Sequence, residues 1–143
     1  MKKKKKAYKK IKCLDFGIFP GYVSFCYNTN YDDIVKYYTK IKADMWLAGI
    51  IDNKDLINSG SWLALSREIV NNKTKESKKL FYIIVPREFN FTDYDYAKLA
   101  HEVTHICQFY LPNVLNRDKE HEAEAYLHTH IMMQCLKVIK DHA

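Results

Sequence analysis

Apolar positions along the chain predict two pairs of β-strands. Residues 11–27 hold two apolar stretches around Pro20–Gly21, a turn-forming pair, and this pattern is typical of a β-hairpin. Residues 61–70 and 79–85 are rich in β-branched and aromatic side chains and flank a polar, charged loop. They predict a second antiparallel pair, because such side chains pack well on a pleated, half-buried surface.

Helical periodicity occupies much of the remaining chain. From Asp32–Asp33 onward, apolar residues recur at spacings of three and four, which predicts an amphipathic helix that ends near Gly49. Thr92, followed three residues later by Asp95, is similar to a capping box. A second helix should therefore begin there and run to about Tyr110.

The last helix is expected to start near Asp118 and to be well buried, because residues 125–139 are apolar over most of the helix circumference. This order of elements predicts an α+β fold, with a small antiparallel sheet, a helix packed on it and two C-terminal helices. No internal repeat or linker divides residues 13–143, so they should form a single domain.

The charge is concentrated at one end of the chain. Of the 143 residues, 48% are hydrophobic, which is enough to build a core. Eight lysines lie within residues 1–12, so the net charge of +6 becomes −2 over the remainder. Residues 1–12 are therefore assigned to a basic flexible tail. Nucleic acid is not expected as a partner, apart from a weak electrostatic hold by this tail, which could equally attract anionic lipid.

Cysteine spacing and hydropathy bear on the compartment. The four cysteines form no CxxC pair, and Cys13 and Cys26 could face each other across the first hairpin. No apolar run reaches the roughly 18–20 residues of a membrane span, and the lysine-rich start is not followed by the apolar segment of a signal peptide. We therefore expect reduced thiols, no membrane span and a cytoplasmic protein.

Residues 101–105 read H-E-x-x-H, a motif that can hold zinc. At about 100° per residue, His105 lies about 40° and Glu102 about 100° from His101, so all three share one helix face. The opposite face carries an apolar stripe from Tyr96 to Tyr110. Imidazoles one turn apart can bind a single ion, and Glu102 is displaced around the helix in a way that suits a general base.

A catalytic zinc takes three protein ligands, so one more is needed. Leu111 occupies the position where a metzincin has its third histidine, which excludes that arrangement. The remaining candidates follow in the next helix: Glu120, His121, Glu122, Glu124, His128 and His130. If the two helices fold back on each other, Glu122 returns to the level of His105, while Glu120 and Glu124 point away from it.

HEVTH followed by Glu122-Ala-Glu-Ala-Tyr126-Leu resembles the gluzincin pattern, in particular the ImmA/IrrE family of HExxH peptidases and small phage-encoded HExxH proteins. The resemblance implies a zincin-like domain with a bound zinc ion. It also implies zinc ligands at His101, His105 and Glu122, with Glu102 as the catalytic acid/base. Tyr126, one turn after Glu122, could stabilise an oxyanion or orient a ligand histidine.

These observations predict an intracellular zinc metallopeptidase acting on a protein or peptide substrate, with a virus-encoded origin in keeping with the phage resemblance. Glu102 would take a proton from the attacking water and return it to the leaving amine. An edge strand, 62–70 or 80–85, would hold the substrate extended. The alternative is a catalytically silent, metal-stabilised binding or structural protein, such as a phage accessory factor.

Overall fold

The computed structural model describes residues 10–111 and 121–142. Within them the chain forms an α+β fold, which confirms the predicted class. In chain order the elements are β1 (Ile11–Phe16), β2 (Phe19–Tyr27), α1 (Tyr31–Lys40), α2 (Asp44–Asp52), α3 (Lys54–Asn58), β3 (Leu63–Val70), β4 (Ser77–Val85), α4 (Asp93–Tyr110) and α5 (His121–Asp141).

The four strands form one mixed sheet in the order β1-β2-β4-β3. The two hairpins are antiparallel as predicted, but β2 pairs parallel with β4, from Val23 opposite Phe81 to Tyr27 opposite Val85. The prediction of a wholly antiparallel sheet was therefore wrong. Three helices separate β2 from β3, which gives the chain enough length to place β3 at the outer edge of the sheet. β4 then pairs between β3 and β2 and runs in the same direction as β2.

The first hairpin turns earlier than predicted. Phe16 pairs with Phe19, so the chain reverses at Gly17 and Ile18 rather than at Pro20–Gly21, which lie inside β2. Gly17 has φ +67°, a left-handed conformation that costs glycine little. β1 begins at Ile11, inside the segment assigned to the tail, and residues 1–9 of that segment lie outside the described residues.

The helix predicted to end near Gly49 is two helices. α1 stops at Lys40, Lys42 adopts φ +57°, and α2 begins at Asp44. Gly49 lies inside α2, where a Cβ would collide with the hydroxyl of Tyr82. Glycine is therefore required there for close packing on the sheet, and it does not mark a helix end.

Helices cover both faces of the sheet. α1, α2 and α3 bury Ile34, Tyr38, Ile50 and Ile57 against one face, and α4 and α5 pack on the other. Successive residues of β4 alternate between the two cores, with Leu80, Tyr82 and Ile84 in the first and Phe81, Ile83 and Val85 in the second. This explains why residues 80–85 are continuously apolar, as expected of a strand buried on both sides.

α5 buries only one stripe, formed by Leu127, Ile131, Cys135, Val138 and Ile139. Its other apolar residues are half-buried or exposed, Met133 at 67% among them, so the prediction of burial around most of the circumference was wrong. The predicted start near Asp118 lies outside the described residues. No helix in the described part of the chain is long and apolar enough to span a bilayer.

All four cysteines are free, as expected. Cys13 lies opposite Ser24 in the hairpin, while Cys26 lies opposite Ile11. The two thiols are therefore out of register for the pairing that the sequence left open.

Candidate metal centre

The start of α4 is fixed by hydrogen bonds in the first turn of the helix. The Thr92 side chain accepts from the amide of Asp95 at 3.1 Å, which confirms the predicted cap. The Asp95 carboxylate is buried and accepts from the amide of Asn90 at 2.6 Å and from both terminal nitrogens of Arg87. These contacts hold the pKa of Asp95 below its usual range, the Arg87 hydrogen bond contributing most.

Buried apolar residues then set the rotation of α4 on the sheet. Leu99, Val103, Ile106 and Cys107 are fully buried, and Tyr110 is nearly so. The opposite face carries His101, which is exposed, and His105, which is half-buried. The predicted orientation of the two histidines is confirmed. Glu102, predicted on the same face, is buried, and Tyr96, at the start of the stripe, is exposed.

The two imidazoles converge on one point. Their Nε2 atoms lie 3.0 Å apart, with the ring planes perpendicular and the centroids 4.6 Å apart. Two nitrogens that each bind zinc at about 2.0–2.1 Å in a tetrahedral arrangement are about 3.3 Å apart. The observed separation is close to that value, so the pair fits two ligands of a single ion.

Gln108 orients one of these rings. Its Oε1 accepts a hydrogen bond from Nδ1 of His105 at 3.1 Å. An imidazole that donates from Nδ1 directs the lone pair of Nε2 toward the ion or toward His101. On its other side the His105 ring stacks on Phe109, with centroids 6.1 Å apart. Sequence reasoning missed this role of Gln108, which its spacing of three residues from His105 could have indicated.

Glu102 lies beside the histidine pair but is largely withdrawn from solvent, with 8% of its surface exposed. Burial raises the pKa of its carboxyl, while electrostatic interactions with His101, His105 and Lys98 act in the opposite direction. A carboxylate in this environment is a stronger base than an exposed glutamate, which suits proton transfer.

The structure does not bring the third predicted ligand to this pair. Glu122 is exposed on the first turn of α5. Within residues 10–111 and 121–142, no group of three or more histidine, cysteine, aspartate or glutamate side chains is arranged to hold a metal. Ligation by Glu122 stays a prediction, and Glu120, another candidate, lies outside the described residues.

Tyr126 lies against the β1–β2 turn. Its ring stacks on His130 at 5.8 Å and meets Phe19 edge-on at 6.3 Å, and its hydroxyl lies over Gly17. His130 in turn pairs with Asp15 at 2.8 Å. Neither motif histidine is among the described partners of Tyr126, so this position gives no support to its predicted catalytic role, which stays a prediction.

His128 joins α5 to the motif helix. Its Nε2 lies 3.2 Å from the carbonyl of Ala100 and 3.1 Å from the hydroxyl of Thr104, and that hydroxyl itself donates to Ala100 at 2.8 Å. Nε2–H of His128 therefore donates to both oxygens. Because Ala100 and Thr104 precede the two motif histidines, His128 sets the position of α5 beside the candidate centre.

The order of the strands identifies the edge next to α4. β4 lies between β2 and β3, so residues 80–85 are central, and β3 is an edge strand. α4 packs against β3 and β4. Of the two candidate substrate strands, only the segment containing β3 is at an edge.

No protein-family model matches the chain, and neither a curated protein nor a solved structure is significantly similar to it. The interpretation of the centre therefore rests on its own geometry.

Proposed function

We propose that this protein is a zinc-dependent metallopeptidase whose ion is held by His101 and His105. The observation that carries the proposal is the 3.0 Å separation of the two Nε2 atoms on the outer face of α4, with the buried carboxyl of Glu102 beside them. This combination provides two ligands on the outer face of the helix and, beside them, a buried carboxyl that can act as a general base.

The bound ion would act as a Lewis acid, lowering the pKa of water and polarising a peptide carbonyl. The chain itself supplies the proton transfers. Glu102 takes a proton from the attacking water and delivers it to the leaving amine, and the burial that raises its pKa makes it a stronger base for the first of these transfers. His105 is held in orientation by Gln108, which reduces the reorganisation needed to bind the ion.

We propose Glu122 as the third ligand, on the return geometry inferred from the sequence. Glu122→Gln should then weaken zinc binding far more than Glu124→Gln or Glu120→Gln, because only one of the three can face the ion. Zinc affinity of the three purified variants, measured by competition with a chelating dye, tests this assignment. Equal affinities in all three variants would overturn it.

A metal-stabilised binding protein without turnover is the second candidate. The observation that favours it is the absence, among the residues the structure describes, of a third ligand next to the histidine pair. Such a protein would bind zinc and gain stability from it, with no cleavage of any peptide.

Cleavage of a diverse peptide library, with products identified by mass spectrometry, separates the two candidates. The metallopeptidase proposal predicts cuts that are removed by chelation, restored by zinc and lost in Glu102→Gln. Glu76→Gln is a matched control at an exposed glutamate in the loop between β3 and β4 and should cleave like the wild type. Zinc binding without any chelator-sensitive cut would favour the silent binding protein.

A further inference from the structure

At one end of the sheet the neighbouring strands β2 and β4 separate, and we call this opening the fork. The parallel pairing of β2 with β4 starts at Val23 and Phe81, although β2 begins at Phe19 and β4 at Ser77. Each strand therefore has four residues ahead of the shared ladder. β4 remains paired with β3 as far as Ser77, so the two hairpins separate here as intact units.

Two residues of β2 account for the opening. Pro20 has no amide hydrogen to donate to a neighbouring strand, and Gly21 has φ +118°, far from an extended strand. A Cβ on Gly21 would come within 3.1 Å of the Phe16 ring, so the backbone lies close against that side chain. Tyr110 donates its hydroxyl hydrogen to the carbonyl of Pro20 and holds the displaced segment in place.

The fork encloses a cleft of about 390 Å³. Its walls are Pro20–Gly21 from β2 and residues 77–79 from β4, and its floor is formed by the rings of Phe81 and Tyr110. Phe81 and Tyr110 are almost fully buried, at 3% and 6% exposure, so each presents only a small part of its surface to a ligand. This volume is within the range of about 300–1,000 Å³ typical of small-molecule sites.

One wall of the cleft is positively charged. Lys78 and Lys79 line it, and the alternation along β4 places Lys79 on the same face as Ser77 and Phe81. Glu68 lies opposite Lys79 in β3 but forms no ion pair with it. Among the described residues, neither lysine has a carboxylate within ion-pairing distance.

We propose that this cleft binds a small molecule with an aromatic ring and an anionic carboxylate or phosphate group. The ring would pack on Phe81 and Tyr110, since aromatic pairs favour offset or edge contacts. The anion would accept charge-assisted hydrogen bonds from Lys79, which lies on the same face of β4 as Phe81, while Lys78 lies on the other face and adds charge at the rim. The cleft is distinct from the candidate metal centre, because Tyr110 belongs to the buried stripe of α4, opposite the motif histidines.

Four probes titrated into the full-length isotope-labelled protein, with amide chemical shifts as the readout, test this site. Phenyl phosphate and benzoate carry both features, benzyl alcohol carries only the ring, and inorganic phosphate carries only the charge. We expect at least one ring-bearing anion to shift amides of residues 19–22 and 77–81, and to bind about tenfold tighter than either single-feature probe. The tighter of the two anions identifies the preferred head group.

Variants then separate recognition from general charge. Lys79→Gln should weaken the tighter anion about tenfold, and Lys78→Gln, on the other face of the strand, should weaken it less. Lys73→Gln, in the exposed loop between β3 and β4, should leave its affinity unchanged. The proposal would be overturned if benzyl alcohol bound as tightly as the anions, or if the three single variants had equal effects. It would also be overturned by shifts confined to residues 101–108, or by no shifts at all.

Discussion

Oε1 of Gln108 accepts a hydrogen bond from Nδ1 of His105, with 3.1 Å between the two atoms. The two residues are three apart on α4, so the helix backbone itself brings them together. Outer partners of this kind fix the tautomer and the direction of a ligating imidazole. The bond therefore links a residue outside the HExxH motif to the metal affinity that we propose.

Gln108→Leu should weaken zinc binding about 10- to 100-fold, the usual effect of removing an outer partner of a ligand histidine. Gln108→Glu keeps an oxygen acceptor and should retain tight binding. Competition with a chelating dye measures both variants. Gln134→Leu is the matched control, since Gln134 donates to the Asp15 carbonyl, away from the pair. Unchanged affinity in Gln108→Leu would show that the hydrogen bond does not orient the ligand.

Asp95→Asn should destabilise the fold by about 1–3 kcal/mol at neutral pH, because the buried carboxylate loses its charge-assisted bonds to Arg87. The folded-state pKa of Asp95 lies below the unfolded value of about 3.9, so its contribution is present above that value. It is lost as the pH falls through the folded-state pKa.

Urea unfolding of the wild type and of Asp95→Asn across the acid range checks this prediction. The difference in unfolding free energy should be constant near neutrality and should shrink below pH of about 4. Asp93→Asn, at an exposed position of the same helical turn, serves as the control and should cost less. A difference that persists unchanged at low pH would rule out the Asp95 charge as its source.

Gly17→Ala should destabilise the protein more than Gly60→Ala. Both glycines have positive φ, so each substitution carries the backbone cost of about 1–2 kcal/mol for a left-handed residue. At Gly17 the new Cβ would also lie 2.5 Å from the Tyr126 hydroxyl oxygen, whereas at Gly60 it would have no atom of a described residue within 4 Å.

Tyr126→Phe removes that oxygen and should recover part of the cost of Gly17→Ala, which a double-mutant cycle in urea measures. Additive effects of the two substitutions would mean that Tyr126 does not pack on the turn. Hydrolysis by Tyr126→Phe also tests the catalytic role predicted from the sequence: a large loss of activity with unchanged stability would favour that role.

His128→Ala should lower the unfolding free energy by about 1–3 kcal/mol, because the Ala100 carbonyl and the Thr104 hydroxyl lose a shared donor. His128→Gln keeps a donor on a long side chain and should recover part of the loss. His142→Ala is the control, since the contacts of that ring with described residues are to the Val138 carbonyl, at the end of its own helix, and to Tyr27. Equal losses from His128→Ala and His142→Ala would contradict the proposed link between α5 and α4.

Local signals predicted α4 well. Thr92 supplies a cap that satisfies the Asp95 amide, and the apolar stripe from Leu99 to Tyr110 has one rotation that buries it, so the placement of His101 followed from the sequence. The same reasoning failed at Pro20–Gly21, because this pair opens a gap between strands where turn chemistry predicts a reversal.

Long-range pairing was beyond local signals. Nothing in residues 19–27 distinguishes a strand that will lie parallel to β4 from one that will end an antiparallel sheet. The position of Glu122 relative to the histidine pair was difficult to predict for the same reason. It depends on how far along α4 the helix α5 packs, and contacts such as that of His128 with Ala100 set this alignment. Helical periodicity does not encode such contacts. The convergence of His101 and His105 was predictable because both histidines lie on one helix.

Zinc stoichiometry, measured by elemental analysis of the purified protein, tests the central claim most directly. The account predicts about one zinc per chain in the wild type and in Glu102→Gln, and almost none in the His101→Ala/His105→Ala double variant, with all three folded by circular dichroism. A wild-type protein that binds no zinc after reconstitution, or a double variant that binds as much as the wild type, would contradict it.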